Sequence, residues 1–101
     1  MFVRLTFCKF LPEKINEARK IFTEEIIPTV RKQKGLLNVR FLEPTEKMGD
    51  YISITEWATP ADAEMYDNSG LYKKLVAKLE PFFTKKPELK TFTVEEVLEH
   101  V

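Results

Sequence analysis

Three aromatic side chains with polar tips, Trp57, Tyr66 and Tyr72, fall inside the stretch E-W-A-T-P-A-D-A-E-M-Y-D-N-S-G-L-Y that runs from Glu56 to Tyr72. An indole face could stack on a flat ligand, and two phenol hydroxyls could orient a substrate hydroxyl between them. Phe22 would add an apolar wall. The plainer alternative is that Trp57 anchors packing at a strand end, while each tyrosine buries its ring and wets its tip. Arg40 and Arg4 share one strand parity, where a guanidinium could bind a carboxylate or steady a phenolate. A salt bridge to Glu95 or Glu43 across a dimer is the commoner use of such a charge. Asn38 could donate to a developing oxyanion or bond within the fold. Cys8 reads as a small buried hydrophobe, and His100, the only histidine, sits in a terminal segment poorly suited to a general base.

These residues need elements to position them. Phe2 to Phe10 alternates as a strand does, with Val3, Leu5 and Phe7 opposite Arg4, Thr6 and Cys8. Ile15, Ala18, Phe22 and Ile26 then recur at helical spacing after Pro12, and Pro28 should kink that helix or remove one of its hydrogen bonds. Gly35 suits the C-terminal cap. Leu36 to Glu43 and the segment from Tyr51 to Trp57 alternate again. Thr59 and Pro60 open a short helix, with Asp62 at the capping-box position. Asp67 to Gly70 break it, a second stripe (Leu71, Leu75, Leu79) runs to Pro81, and Leu89 to Leu98 reads as a last strand.

The order strand, helix, strand, strand, broken helix, strand predicts a ferredoxin-like βαββαβ sandwich of class α+β, one domain over residues 1–101. Sixteen basic residues balance sixteen acidic ones with no long single-sign run, which argues against nucleic acid and against a charged membrane surface. One cysteine forms no internal disulfide and anchors no cysteine-based metal site, so a cytoplasmic protein is expected. The first strand is too interrupted by charge for a leader peptide, and no apolar run reaches membrane-spanning length.

The pattern places Val3, Leu5, Phe7, Leu37, Val39, Phe41, Ile52, Ile54, Phe92 and Val94 under the helices. Phe2, Phe10, Leu36, Leu42, Tyr51 and Trp57 would then share the other face with Arg4, Asn38, Arg40, Ser53 and Thr55. Aromatic surface of that extent marks an interface, and a symmetric homodimer through the sheet face is the expectation.

Four features carry a family resemblance: the helix ending I-I-P-T-V-R-K-Q-K-G-L, the strand ending E-W, the capped A-T-P-A-D-A, and S-G-L-Y-K-K-L-V-A-K-L-E-P-F-F. Together they resemble the antibiotic biosynthesis monooxygenase domain family, over almost the whole chain. The resemblance implies a dimeric α+β barrel and, in some members, oxidation of phenols or quinols with no metal or flavin. Other members degrade haem held by a histidine; the resemblance places that ligand at Val76 and a first-strand asparagine near Phe7, which argues against haem degradation here. Histidines of quinol-oxidising relatives fall at Tyr66 and Leu71. The expectation is therefore a cofactor-free monooxygenase acting on a small aromatic ligand held by Trp57, Tyr66, Tyr72, Phe22, Asn38 and Arg40. The alternative is a non-catalytic binding or interaction module of the same fold.

Overall fold

The computed structural model describes residues 1–95. Strand β1 (Phe2–Cys8) leads through a 3-10 turn at Pro12–Lys14 into α1 (Ile15–Ile21), a π-helical turn (Phe22–Ile26) and α2 (Ile27–Val30). Strands β2 (Leu36–Leu42) and β3 (Tyr51–Trp57) follow, then α3 (Pro60–Asn68), α4 (Leu71–Leu79), a 3-10 turn (Glu80–Phe82) and β4 (Glu88–Thr93). The strands form one antiparallel sheet in the order β2-β3-β1-β4. This is the ferredoxin-like α+β fold that the element order predicts.

Local signals mostly act as read. Thr59 caps α3, its hydroxyl accepting from the Asp62 N–H at 3.1 Å and donating to the Asp62 carboxylate at 3.0 Å. Gly35 adopts φ +80°, where a side chain is strained, and a Cβ there would come within 2.1 Å of Asp62 Oδ2. Glycine is thus required twice at one place, by conformation and by space. Pro28 has no N–H to close a helical bond, and the ladder responds one turn earlier: the Ile27 N–H reaches back to Phe22 O, five residues away. The helix widens into a π turn and continues. The last strand is shorter than expected, because Thr93 already lies opposite Phe2, where β1 begins. The remainder of the expected strand, residues 96–98, and His100 lie outside the described residues.

The sheet is the other way up from the hydrophobic pattern. Arg4, Thr6 and Cys8 are buried under the helices, and the register sets them opposite Thr55, Ser53 and Tyr51. Directly opposed residues share a face, so Phe2, Arg4, Thr6, Cys8, Ser53, Thr55 and Trp57 form the inner surface. Phe10, buried just beyond β1, and Phe41 meet ring to ring at 6.3 Å on the same side. Val3, Leu5, Phe7, Ile52 and Ile54 point outward, with Phe92 opposite Val3 and half exposed. Among the expected core residues of the sheet, Val39 and Phe41 do face the helices, opposite Thr55 and Ser53. Leu37 does not; it sits in a β-bulge between Leu36 and Asn38 and is exposed. The reason is local: apolar alternation marks a face that leaves water, without saying whether a helix or another sheet covers it.

Candidate functional site

The inner sheet face is polar at its centre, and the helices above it supply aromatic and aliphatic side chains. Between them lies a narrow cleft floored by Arg4, Thr6, Cys8, Ser53 and Thr55. Its walls come from Ile26 and Val30 on the kinked first helix, Tyr66 on α3, and Tyr72, Leu75 and Val76 on α4. The cleft measures about 40 Å3, room for roughly one to three water molecules. Val76 and Phe83 separate it from an open basin of about 520 Å3, whose rim carries Thr84, Lys85 and Lys86.

The turn between α3 and α4 sets the two tyrosines. Gly70 takes φ +82°, and the Ser69 hydroxyl donates to Tyr66 O at 2.6 Å while accepting the Leu71 N–H at 3.3 Å. This tight reversal brings Tyr66 and Tyr72 edge to face, ring centroids 6.2 Å apart. The Tyr72 hydroxyl lies 3.0 Å from Thr6 Oγ1, so either can donate to the other. Tyr66 stacks on Trp57 at 5.0 Å, and the indole N–H donates to Thr55 Oγ1 at 2.9 Å.

Arg4 is the centre of the site. Its side chain is only 6% exposed, yet among the described residues Nη2 has no hydrogen-bond partner. The guanidinium carbon stands 4.6 Å from the Tyr72 ring centre and 5.8 Å from that of Tyr66, within cation–π range. The Asp67 carboxylate approaches to 3.6 Å from the half-exposed side. A buried charge with so little direct hydrogen bonding is costly in a domain that needs it only for packing.

The weak acids that line the cleft, one thiol and two phenols, hold their protons. Burial pushes the Cys8 thiol up to about 12, with the Asp50 charge adding in the same direction. Burial also raises the Tyr66 phenol, against an opposing pull from Arg4, and raises Tyr72 against its Thr6 hydrogen bond and Arg4. At neutral pH the cleft therefore presents donors: two phenols, a thiol, the hydroxyls of Thr6 and Ser53, and a guanidinium.

Of the residues singled out from sequence, Tyr66 and Tyr72 line this cleft. Trp57 is fully buried behind Tyr66, and Phe22 is buried in the core, stacked on Phe41 at 4.4 Å. Asn38 and Arg40 lie opposite Glu56 and Ile54, on the outer face with Leu5 and Phe7, so the structure does not bring them to the tyrosines. Sequence reasoning passed over Thr6 and Ser53; it weighed Arg4, with Arg40, as a group that could bind a carboxylate or steady a phenolate, but favoured a salt bridge across a dimer. The usable signal was that β1 and β3 both carry small or polar groups on one parity, Arg4-Thr6-Cys8 and Ser53-Thr55.

The site does not fit haem. From α4 it is lined by Tyr72, Leu75 and the aliphatic Val76, Phe7 points to the outer face, and among the described residues lining the cleft the one thiol, Cys8, is held protonated by burial. Among the described residues, no group of three or more His, Cys, Asp or Glu side chains is placed to hold a metal ion. Nor is any described helix long and apolar enough to cross a membrane.

A family model described as antibiotic biosynthesis monooxygenase matches residues 1–78. No curated protein matches the chain by sequence. Among solved structures, a candidate antibiotic biosynthesis monooxygenase from Deinococcus radiodurans is similar at TM-score 0.82, with 13% identity over 100% of this chain and 99% of that one. A conserved protein from Methanosarcina mazei Go1 is similar at TM-score 0.79, with 17% identity and 94% of each chain covered. The haem degrader MhuD of Mycobacterium tuberculosis, solved with two haems in its active site, is similar at TM-score 0.78, with 18% identity over 98% of this chain and 100% of that one. At these identities the structural likeness establishes the fold.

Proposed function

Because the chain belongs to the antibiotic biosynthesis monooxygenase family, we propose that it binds a small phenol- or quinol-like molecule in the cleft beneath α3 and α4 and oxidises it without a resident cofactor. Family membership supports a general monooxygenase or small-molecule-binding role. The observation that carries the finer reading is the inverted sheet: the helix-covered face is built from Arg4, Thr6, Ser53 and two tyrosine rings, while ordinary core residues point outward. A fold spends its buried face on polar groups where a ligand must meet them.

An aromatic ring needs more than 40 Å3, so Phe83 must swing aside and join the cleft to the outer basin. Tyr66 and Tyr72 would then flank the ring, with the Tyr72 and Thr6 hydroxyls orienting its oxygen. In the reaction the substrate supplies all four electrons that dioxygen takes; one oxygen atom enters a ring carbon and the other leaves as water. A dry, closed cleft favours electron release from the ionised ring. Oxygen uptake over a panel of hydroquinones, with and without a ring carboxylate, tests this. Turnover by the wild type, reduced in Tyr72→Phe, is expected; no uptake with any member removes the enzyme.

A non-catalytic binding module is the second reading, and one feature favours it. Cys8, Tyr66 and Tyr72 all retain their protons, so these lining groups offer no base at neutral pH. Ligand binding without oxygen uptake is its signature.

The outer face is proposed to meet a second copy of this chain. It exposes Val3, Leu5, Phe7, Ile52, Ile54 and Phe92 as one apolar surface, and it carries Lys90 beside Glu88 and Glu56. Both charge signs on one face permit self-complementary pairing about a two-fold axis.

A further inference from the structure

The floor of the cleft poses a question of charge. Arg4 places a guanidinium in the interior, where Nη2 stands 3.6 Å from Asp67 Oδ1, within ion-pair range but without a hydrogen bond among the described residues. Asp67 is 42% exposed, so water screens this pairing. The cleft is also lined by the hydroxyls of Tyr72, Thr6 and Ser53; Tyr72 and Thr6 share one hydrogen bond, which leaves one proton of that pair and that of Ser53 free to turn toward a ligand. Such a set resembles the donor clusters that bind oxyanions, with a cation added. Its one charged partner, Asp67, is half-exposed and stands beyond hydrogen-bond distance.

The route inward is net positive. Val76 and Phe83 line both the cleft and the outer basin, and the basin's charged residues are Lys85 and Lys86 against the one carboxylate of Glu80. A negatively charged ligand would be drawn to the rim and would lose its water only after meeting Arg4. A neutral quinol would gain nothing from the lysines and would leave Arg4 with only its long contact to Asp67.

We infer that the occupant of the cleft is an aromatic anion, a ring bearing a carboxylate or an acidic phenol ionised at neutral pH, with Arg4 Nη2 as the partner of its anionic oxygen. Lys85 and Lys86 gather it, and Phe83 admits it. The inference rests on the proposed small-molecule site and narrows its ligand class. It makes Arg4 the residue that decides specificity.

The test is calorimetric titration at two salt concentrations with three probes: 4-hydroxybenzoate, 4-hydroxybenzamide and acetate. Wild-type protein is compared with Arg4→Gln and with the rim variant Lys85→Gln/Lys86→Gln. Circular dichroism verifies that each variant is folded. The wild type should bind 4-hydroxybenzoate about tenfold to a hundredfold more tightly than the amide, the difference set by one charged hydrogen bond. Arg4→Gln should erase that preference while still binding the amide. The rim variant should slow association and flatten its salt dependence. Equal binding of benzoate and benzamide by the wild type overturns the inference and leaves the small-molecule site standing. Acetate binding that depends on Arg4, without binding of either ring, confirms the anion site and removes the aromatic ligand. No binding of any probe sinks both. If Arg4→Gln does not fold, Arg4→Lys replaces it: retention of charge with lost bidentate geometry should weaken benzoate and not the amide, and equal loss for both contradicts the inference.

Discussion

Replacing Arg4 with methionine should make this protein more stable and abolish its preference for an anionic ligand. Arg4 is 6% exposed, with one nitrogen lacking a hydrogen-bond partner among the described residues. Relieving a buried unsatisfied charged donor is worth about 3 kcal/mol. Against this stand two ring contacts, at 4.6 and 5.8 Å, together worth ~1–2 kcal/mol. The ion pair to half-exposed Asp67 adds less than about 1 kcal/mol. Methionine is of similar length, and in a cleft also lined by Ile26, Val30 and Leu75 it would add apolar contact. The balance is a gain of roughly 1 kcal/mol, which for a domain of this size raises Tm by about 4–8 °C. Differential scanning calorimetry, with urea unfolding followed by circular dichroism, measures it. If Arg4 were a structural strut holding α3 through Asp67, its removal would instead cost about 3–5 kcal/mol. A Tm lowered by more than about 5 °C therefore refutes the assignment of Arg4 to a ligand.

Other outcomes follow from the same geometry. Gly70→Ala meets no neighbour within 4 Å and should cost only the left-handed strain, about 1–2 kcal/mol, whereas Gly35→Ala also collides with Asp62 and should cost roughly 3 kcal/mol or more; equal losses in urea unfolding would contradict the packing described here. Cys8, with its thiol near 12, should resist alkylation at pH 8 in the native state and react at once when unfolded. The folded state binds the protons of Cys8, Tyr66 and Tyr72 more tightly than the unfolded state does, so their contribution is complete below about pH 9. Stability should then fall as pH rises through the range 9 to 12, and a Tm flat across it would be inconsistent with these burial effects. Sedimentation should give twice the 11.9 kDa chain mass, and Ile54→Glu on the outer face should return the single-chain value; an unchanged dimer in that variant would put the interface elsewhere.

The architecture was legible because its signals are local. Thr59, Gly35, Gly70 and Pro28 each act through a few neighbouring atoms, and the element order leaves little topological choice. The orientation of the sheet was not legible. Period-two alternation separates two faces but does not say which one the helices cover, and here the apolar face of β1 and β3 is the uncovered one. That inversion misplaced Trp57 and Phe10, which the pattern set on the open side. Asn38 and Arg40 fell outside the cleft with the outward parity of β2 after the Leu37 bulge. Tyr66 and Tyr72 were readable from the Ser-Gly turn that sets them. Thr6 and Ser53 looked like ordinary polar strand residues until the register paired them.

The claim that a ligand sits between the helices and the inner sheet face is tested most directly by amide chemical-shift mapping with 4-hydroxybenzoate. Saturable shifts at Thr6, Cys8, Tyr72 and Val76, with Asn38 and Arg40 unmoved, are the predicted result. Shifts confined to the outer face, or none at saturating ligand, would contradict it.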